Sequence, residues 1–112
     1  FLRIIATTRI HAPSHISIQV PPNLSPDISI FLKSGINDLG GISPLTIDWV
    51  NPDHLWPNIN KLQSDISNAG QVMRKRLPVY PEFIKKEWLS RKIFEKVNNI
   101  IDTDGYPKDN NE

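Results

Sequence analysis

The sequence predicts an α/β fold in which parallel strands are joined by crossover helices, and three observations support this prediction. Residues 16–20 alternate between apolar and polar side chains, which is the period-two pattern of a strand. Two helical patterns follow, over residues 26–34 and 57–69, each with a proline at its start and a glycine just after its end. An extended run comes shortly after each glycine, at residues 39–42 and 72–79. The chain is therefore expected to hold about three strand-and-helix units.

The length and composition are ordinary for a globular protein. With 112 residues, 38% of them apolar and 22% charged, the chain is one domain or a piece of a larger one. The net charge of +1 is too small to indicate a nucleic-acid or membrane-surface partner. The absence of cysteine excludes disulfides and thiolate-bound metals within these residues, and no apolar run approaches the roughly 20 residues that span a bilayer. We therefore expect a cytoplasmic protein without nucleic-acid or membrane partners.

Residues 1–15 are predicted to form the end of a helix, which begins without an N-cap and so looks cut, followed by a loop. The loop contains His11 and His15 on either side of a proline. A solvated turn is favoured over a metal site because no third ligand lies nearby in the sequence. The repeated units and the C-terminal helices occupy residues 16–105, and a polar tail follows at residues 106–112.

The ends of the two helical patterns carry specific signals. Two consecutive prolines stop the first strand, Ser25 is predicted as the N-cap of the first helix, and Pro26 is predicted as its first residue. Gly35 and Gly70 are predicted to end the two helices in the left-handed conformation. Ile36 is expected to fold back onto the first helix as the hydrophobic contact of a Schellman motif.

The third predicted strand, residues 72–79, places two arginines on one face. If its apolar face packs against the helices, Arg74 and Arg76 point inward, where a charge has to be paired or bind a ligand. We weigh a structural ion pair of Arg74 with a carboxylate such as Asp38 as an equal alternative to a ligand role. Arg76 lies nearer the C-terminal end of the strand and is the stronger functional candidate.

The C-terminal region is predicted to be helical in two pieces. A short apolar pattern covers residues 83–88, and Ser90 is expected to cap a second helix that extends to residue 101. Residues 102–105 resemble the start of a calcium loop only superficially, because no further ligands follow at the required spacing.

Polar side chains follow the first two predicted strands. In parallel α/β folds the ligand lies at the C-terminal ends of the strands, so a small-molecule site is expected there. The candidates are Gln19 and Asn23 after the first strand, and Ser43 and Thr46 after the second.

Five sequence motifs occur in the order and spacing of a known family. As a set they resemble the C-terminal part of the 7,8-didemethyl-8-hydroxy-5-deazariboflavin (FO) synthase subunit 1 family. The resemblance covers residues 16–88, and each motif alone would be weak. The motifs are Gln19-Val-Pro-Pro-Asn-Leu24, Asn37-Asp-Leu-Gly-Gly-Ile-Ser-Pro44, Val50-Asn-Pro52, Trp56-Pro57 and Arg76-Leu-Pro-Val-Tyr-Pro81.

The resemblance implies a radical S-adenosylmethionine enzyme on a (β/α) TIM-like barrel, of which this chain would be about the last three units. That family forms its deazaflavin from an adduct of tyrosine and a ribityl-diaminouracil. A second synthase subunit, or a fused second domain, is the implied protein partner. By the same resemblance, Val20 and Pro21 would lie near the adenine of S-adenosylmethionine. The residues expected to face the substrate are Gln19, Asn23, Ser43, Thr46 and Arg76.

The chain departs from the family in one respect. The CxxxCxxC loop that holds the four-iron four-sulfur cluster is missing, so this chain is expected to have no metal ligand or catalytic residue and to be inactive alone. S-adenosylmethionine and the cluster would belong to the parent enzyme. Two alternatives remain open: another radical enzyme of the same superfamily, such as the second synthase subunit or a biotin-synthase-like protein, and a non-catalytic barrel remnant that serves as a binding module.

Overall fold

A computed structural model describes residues 1–43 and 45–109. Pro44 of the second motif and the last three residues of the predicted polar tail lie outside the described residues. The chain divides into two compact units, Phe1–Met73 and Arg74–Glu112. The helices are α1 Leu2–His11, α2 Ile28–Ser34, α3 Ile59–Asn68 and α4 Arg91–Ile100, with 3-10 turns at Pro22–Leu24 and Pro81–Phe83. None of the described helices is both long and apolar enough to cross a membrane.

The first unit is held together by one apolar core. Helix α2 packs against both α1 and α3, so it lies at the centre of the three helices. Helices α2 and α3 each contribute an apolar stripe, because side chains three and four positions apart share a face, and α1 contributes Ile5. The buried members of the core are Ile5, Val20, Ile28, Phe31, Ile36, Leu62 and Ile66.

Helix α1 extends further than the sequence predicts. His11 was expected in the loop after the helix, but the helix continues to His11. Arg9 explains the difference, because its guanidinium holds the last turn by donating to the carbonyls of Gly35 (2.8 Å) and Ile16 (2.9 Å) and to Asn37 Oδ1 (3.2 Å). These contacts join α1 to segments that lie far away in the sequence.

The predicted N-cap of α2 is wrong by two residues. Asp27, rather than Ser25, is the N-cap, and its carboxylate accepts from the backbone N–H of Ser29 at 2.9 Å. Ser25 forms a turn before the helix instead, with its hydroxyl accepting from the N–H of Asp27 at 3.2 Å. Starting the helix at Ile28 places that side chain in the core, and Pro26 is left outside the helix. Helix α3 likewise starts after Pro57, at a cap formed by Asn58.

Both predicted glycine terminators are confirmed. Gly35 has a φ of 115° and Gly70 a φ of 81°. After α2, the N–H of Ile36 bonds to the carbonyl of Phe31 at 3.3 Å, and the Ile36 side chain is buried in the core. This is the predicted Schellman motif with its hydrophobic contact.

The predicted strands pair only at one point. Gln19 and Asp38 form an isolated parallel bridge, with the N–H of Val20 bonding to the carbonyl of Asp38 at 3.3 Å and the N–H of Asn37 to that of Ile18 at 3.1 Å. The pairing is parallel, as expected, but it starts just before predicted strand 39–42. Residues 72–79 form no bridge with any described residue. The barrel architecture therefore remains a prediction.

The second unit is organised around α4 and the turn that follows it. Ser90 caps α4, as predicted, by accepting from the N–H of Ile93 at 3.4 Å. After the helix the chain reverses, and Ile101 and Pro107 form an antiparallel bridge. The predicted helix over residues 83–88 is reduced to the 3-10 turn Pro81–Phe83.

The turn after α4 is closed by an arginine. The carboxylate of Asp102 accepts from the N–H groups of Asp104 (2.8 Å) and Tyr106 (3.1 Å) and pairs with the guanidinium of Arg74. The same guanidinium lies 4.0 Å from the centre of the Tyr106 ring. Arg74 is therefore in a structural ion pair, but its partner is Asp102 and not Asp38. The two residues are distant in sequence, so spacing alone could not identify the pair.

Candidate functional site

A cleft in the first unit lies where the 3-10 turn Pro22–Leu24 meets the start of α3. Its volume is about 480 Å³, which is within the usual range for small-molecule sites. The walls are the 3-10 turn, the loop of residues 53–57 and the first turns of α3, including Lys61 and Asp65. We call it the Asn23 cleft, because Asn23 is the buried polar residue that lines it.

Asn23 is only 6% exposed and is held in one orientation. Its Nδ2 donates to Asp48 Oδ2 at 2.8 Å and to the carbonyl of His54 at 3.2 Å. Both partners are acceptors, so a reversed amide would place its oxygen against the oxygens of Asp48 and His54. The remaining atom, Oδ1, is buried and has no hydrogen-bond partner among the described residues. Such an unpaired acceptor costs about 1–3 kcal/mol.

Asp48 accepts the hydrogen bonds that hold the loop behind Asn23. Its Oδ1 accepts from the N–H groups of Val50 (3.0 Å) and Asn51 (3.2 Å), and its Oδ2 accepts from the side-chain amides of Asn51 (3.1 Å) and Asn23. These hydrogen bonds lower the pKa of Asp48 below its ordinary value of 3.8. The bond from the Asn23 side chain lowers the pKa most, and the bond from the Asn51 side chain comes next. Asp48 therefore stays ionised at neutral pH and acts only as an acceptor.

Trp56 supplies the opposite kind of polar group. Its indole Nε1 is buried and has no hydrogen-bond partner in the described part of the chain, and Trp56 lines the same cleft as Asn23. An indole N–H is a donor only, whereas Asn23 Oδ1 is an acceptor only. Two residues that line the cleft thus each carry a buried polar atom without a partner in the described part of the chain, one an acceptor and the other a donor.

The charged groups at the cleft are acidic in balance. Lys61 pairs with Asp65 one turn along α3, at 2.5 Å, so its charge is largely compensated. Asp53 also lines the cleft and is exposed to solvent. A cleft with this balance does not favour a phosphate or another anion.

The other predicted site residues of the first unit lie in local contacts. Gln19 covers Gly40, since a Cβ added there would come within 3.2 Å of Gln19 Oε1. The hydroxyl of Thr46 donates to that of Ser43 at 2.6 Å. Gln19 and Thr46 are exposed, and Ser43 is half-buried. Of the two residues expected near S-adenosylmethionine, Val20 is a core residue and Pro21 is exposed.

Arg76 belongs to the second unit and is partly buried. Its Nη1 donates to the carbonyl of Leu77 at 2.8 Å, and its guanidinium lies 4.3 Å from the centre of the Tyr80 ring. Stacking on an aromatic ring fixes the plane of the guanidinium. A planar, oriented guanidinium suits the ligand role of Arg76, which stays a prediction.

Sequence reasoning missed Asp48 and Trp56. Between Trp49 and Trp56 the sequence indicates only a loop, because Pro52 and the following Pro57 interrupt any helical or strand pattern. A usable signal was present, since an Asp side chain in a loop often accepts from the backbone N–H two residues on, which here is that of Val50. The contact with Asn23, 25 residues away, could not be predicted from spacing.

The chain does not fit the cluster that the resemblance implies. It contains no cysteine, and its described residues include no group of three or more histidine or acidic side chains placed to hold a metal ion. Thiolates are the usual ligands of iron–sulfur clusters. No step of a reaction is therefore assigned to a cluster on these residues.

Comparison with known proteins identifies similar sequences under one name. The chain is 47% identical over 96 residues to the 7,8-didemethyl-8-hydroxy-5-deazariboflavin synthase of Methanosarcina barkeri, a match that covers 86% of this chain. It is 52% identical over 83 residues to the synthase of Methanococcus maripaludis, covering 73% of this chain. With the synthase of Archaeoglobus fulgidus it shares 37% identity over 107 residues, covering 96% of this chain. No family model and no solved structure matches.

The matches cover only part of the relatives. The aligned regions make up 29%, 24% and 33% of the Methanosarcina, Methanococcus and Archaeoglobus proteins, respectively. The chain thus spans about three tenths of the length of these curated relatives, which is consistent with a C-terminal portion. The resemblance drawn from the motifs is confirmed: the chain is a homologue of a portion of the 7,8-didemethyl-8-hydroxy-5-deazariboflavin (FO) synthases.

Proposed function

We propose that this chain forms part of the substrate-binding surface of an FO synthase and that Asn23 contacts the substrate. The sequence similarity supports the choice of enzyme, and the buried, unpaired Oδ1 of Asn23 supports the choice of residue. A buried acceptor without a partner is disfavoured in a purely structural role, so a ligand that pairs with it relieves a cost.

The chain's own residues would bind and orient the substrate. Asp48 and the carbonyl of His54 hold the amide of Asn23 so that Oδ1 is the atom left for a ligand. The surrounding cleft would keep water away from that contact and so strengthen it. In this proposal the radical S-adenosylmethionine chemistry and its cluster depend on other parts of the enzyme, because this chain contributes no cluster ligand.

The proposed architecture is the C-terminal part of a (β/α) barrel. The parallel bridge between Gln19 and Asp38, with α2 as the connection between its two segments, is the arrangement expected of such a unit. The isolated pairing would extend into a ladder where neighbouring strands of the barrel lie alongside it.

A chimera tests the proposed function. The 96 residues of the Methanosarcina barkeri synthase that match this chain are replaced by those of this chain, and formation of the deazaflavin is measured with the natural tyrosine and ribityl-diaminouracil substrate. We expect the chimera to form product. Asn23→Ala in the chimera should lower product formation by at least about tenfold, whereas reductive cleavage of S-adenosylmethionine continues.

Gln63→Ala is the matched control, because Gln63 is an exposed residue of α3 that does not line the cleft. It should leave both measurements unchanged. Product formation at the parental rate in the Asn23→Ala chimera would show that Asn23 does not contact the substrate. A folded chimera with no product at all would count against the choice of enzyme.

A further inference from the structure

We propose that the solvent-facing side of α4 is a docking surface for an acidic amphipathic segment of another protein. The segment would place apolar side chains against Ile93 and Ile100, and carboxylates against Lys92 and Lys96. We call these four residues the α4 face. The proposal rests on the second unit alone and does not depend on the choice of enzyme.

The apolar side of α4 is only partly covered by the rest of the chain. Val97 is buried and Phe94 is half-buried, so one part of the apolar side is already packed. Ile93 is 46% exposed and Ile100 is 51% exposed. Because they are seven positions apart, these two isoleucines lie on one side of the helix, about two turns from each other. The helix therefore presents a short apolar strip to solvent.

Lysines border this strip. Lys96 lies three positions after Ile93 and four before Ile100, and Lys92 lies four positions before Lys96, so helical spacing makes them neighbours of the strip. Both lysines are exposed, and neither side chain has an ion pair or hydrogen bond with a residue that the structure describes. The acidic residue of α4 pairs instead with Arg91, at 3.0 Å. The two lysine charges are thus left for a partner.

Positive charge is concentrated around the α4 face. Residues 85–96 contain five of the 13 basic residues of the chain but only two of the 12 acidic ones, so this segment has a net charge of +3. The remaining residues together have a net charge of −2. Lys86 belongs to the same neighbourhood, because its Nζ lies 6.0 Å from the centre of the Phe94 ring. A partner that carries carboxylates is therefore attracted to this segment rather than to the chain as a whole.

The apolar strip and the lysines together indicate the class of partner. A nucleic acid would pair with the lysines, but isoleucines provide no aromatic platform for its bases. A membrane-bound helix needs a broad apolar face, whereas α4 offers two half-exposed side chains. A second copy docked through the same face would bring lysines against lysines. A protein segment with carboxylates beside an apolar stripe fits both features.

The test is a titration of a labelled synthetic peptide with the 112-residue chain, followed by fluorescence anisotropy. The acidic probe is a helical peptide with a leucine stripe at helical spacing and glutamates on both sides of the stripe. The control peptide keeps the leucines and replaces each glutamate with lysine. We expect the acidic peptide to bind at least about tenfold more tightly than the control peptide, and its affinity to fall as the salt concentration rises.

Two double variants separate the lysines from the apolar strip, with folding checked by circular dichroism. Lys92→Glu with Lys96→Glu should reverse the preference between the two peptides, because the face then carries negative charge. Ile93→Ser with Ile100→Ser should weaken the acidic peptide by about tenfold and leave the direction of the preference unchanged.

A matched control changes the net charge by the same amount at another place. Arg3→Glu with Lys33→Glu replaces two exposed basic residues of the first unit and should leave the preference intact. Loss of the preference in this control, or equal affinity of the parent chain for the two peptides, overturns the proposal. Saturable binding to phosphatidylglycerol vesicles without a preference between the peptides also overturns it, because the face would then be a membrane surface.

The same titration with a full-length chimera tests whether the face is free in an enzyme. The Archaeoglobus fulgidus synthase is the suitable parent, because its match covers 107 residues of this chain and so includes α4. A preference of the chimera for the acidic peptide supports the proposal. Binding by the 112-residue chain but not by the chimera overturns it, since other parts of the enzyme would then cover the face. None of these outcomes measures product, so each is distinct from a failure of the proposed function.

Discussion

Gly35→Ala is expected to destabilise the chain more than the equivalent change at Gly70, although both glycines end a helix with a positive φ. The left-handed conformation costs a residue with a Cβ about 1–2 kcal/mol at either position. At Gly35 the added Cβ would also lie 2.7 Å from Cβ and Cγ of Arg9, whereas a Cβ added at Gly70 would have no atom of the described residues within 4 Å apart from its own chain neighbours. The first position therefore carries a steric penalty that the second lacks.

The magnitude follows from the contacts that Arg9 makes. To relieve the clash, Arg9 must move away from the carbonyls of Gly35 and Ile16 and from Asn37, at a cost of about 1 kcal/mol for each hydrogen bond that is lost. With one or two bonds lost, Gly35→Ala should lower the free energy of unfolding by about 2–4 kcal/mol. Gly70→Ala should lower it by only about 1–2 kcal/mol.

The assay is urea unfolding of both variants followed by circular dichroism at the helical band. A further variant, Arg9→Ala with Gly35→Ala, should show that the two changes are not additive, because Arg9→Ala already removes the Cγ contact and the hydrogen bonds that Gly35→Ala would break, while the contact with Cβ at position 9 is kept. Equal destabilisation by Gly35→Ala and Gly70→Ala would refute the reasoning, since it would mean that the close approach of Arg9 has no energetic effect.

Three further predictions follow from the caps, the carboxylates and the arginine. Asp27→Ala should lower the urea midpoint, whereas Ser25→Ala should leave it nearly unchanged; the reverse result would restore Ser25 as the cap. The hydrogen bonds to Asp48 lower its pKa in the folded state, so the ionised carboxylate stabilises the fold fully at pH values above the ordinary pKa of 3.8. This stabilisation should disappear as the pH falls through the folded-state pKa, and Asp48→Ala should flatten that part of an acid-unfolding curve. In the chimera, Arg76→Lys and Arg76→Ala should both lower deazaflavin formation while cleavage of S-adenosylmethionine continues, because lysine keeps the charge but not the planar guanidinium that stacks on Tyr80. Parental product formation by the alanine variant would show that Arg76 does not contact the substrate.

Local signals in the sequence predicted local structure well. The glycines at 35 and 70 and the cap at Ser90 are in the predicted places, because each depends on the backbone preferences of a few neighbouring residues. The error at Ser25 has a simple cause. Ser25 and Asp27 are both good N-cap residues. The choice between them depends on which helix start buries the Ile28 side chain, and this burial depends on tertiary packing that the local sequence does not show.

Contacts between distant residues were predicted poorly. The ion pair between Arg74 and Asp102 and the hydrogen bond between Asn23 and Asp48 join residues 28 and 25 positions apart. Asn23 itself was predicted as a site residue from its place after a strand, but the group that orients it was not. Pairing of this kind depends on how the chain folds back on itself. From the sequence alone, many carboxylates are equal candidates for the partner of a given arginine or asparagine.

The parallel bridge between Gln19 and Asp38 has a consequence for the order of folding. Parallel segments cannot be joined by a tight turn, so the chain between them must first reverse through α2 and leave it at Gly35. Helix α2 can form from local contacts, whereas the bridge needs the loop around it to close. We therefore expect the bridge, which closes a loop from residue 19 to residue 38, to form after the local hydrogen bonds of α2, because it is the non-local contact of the two.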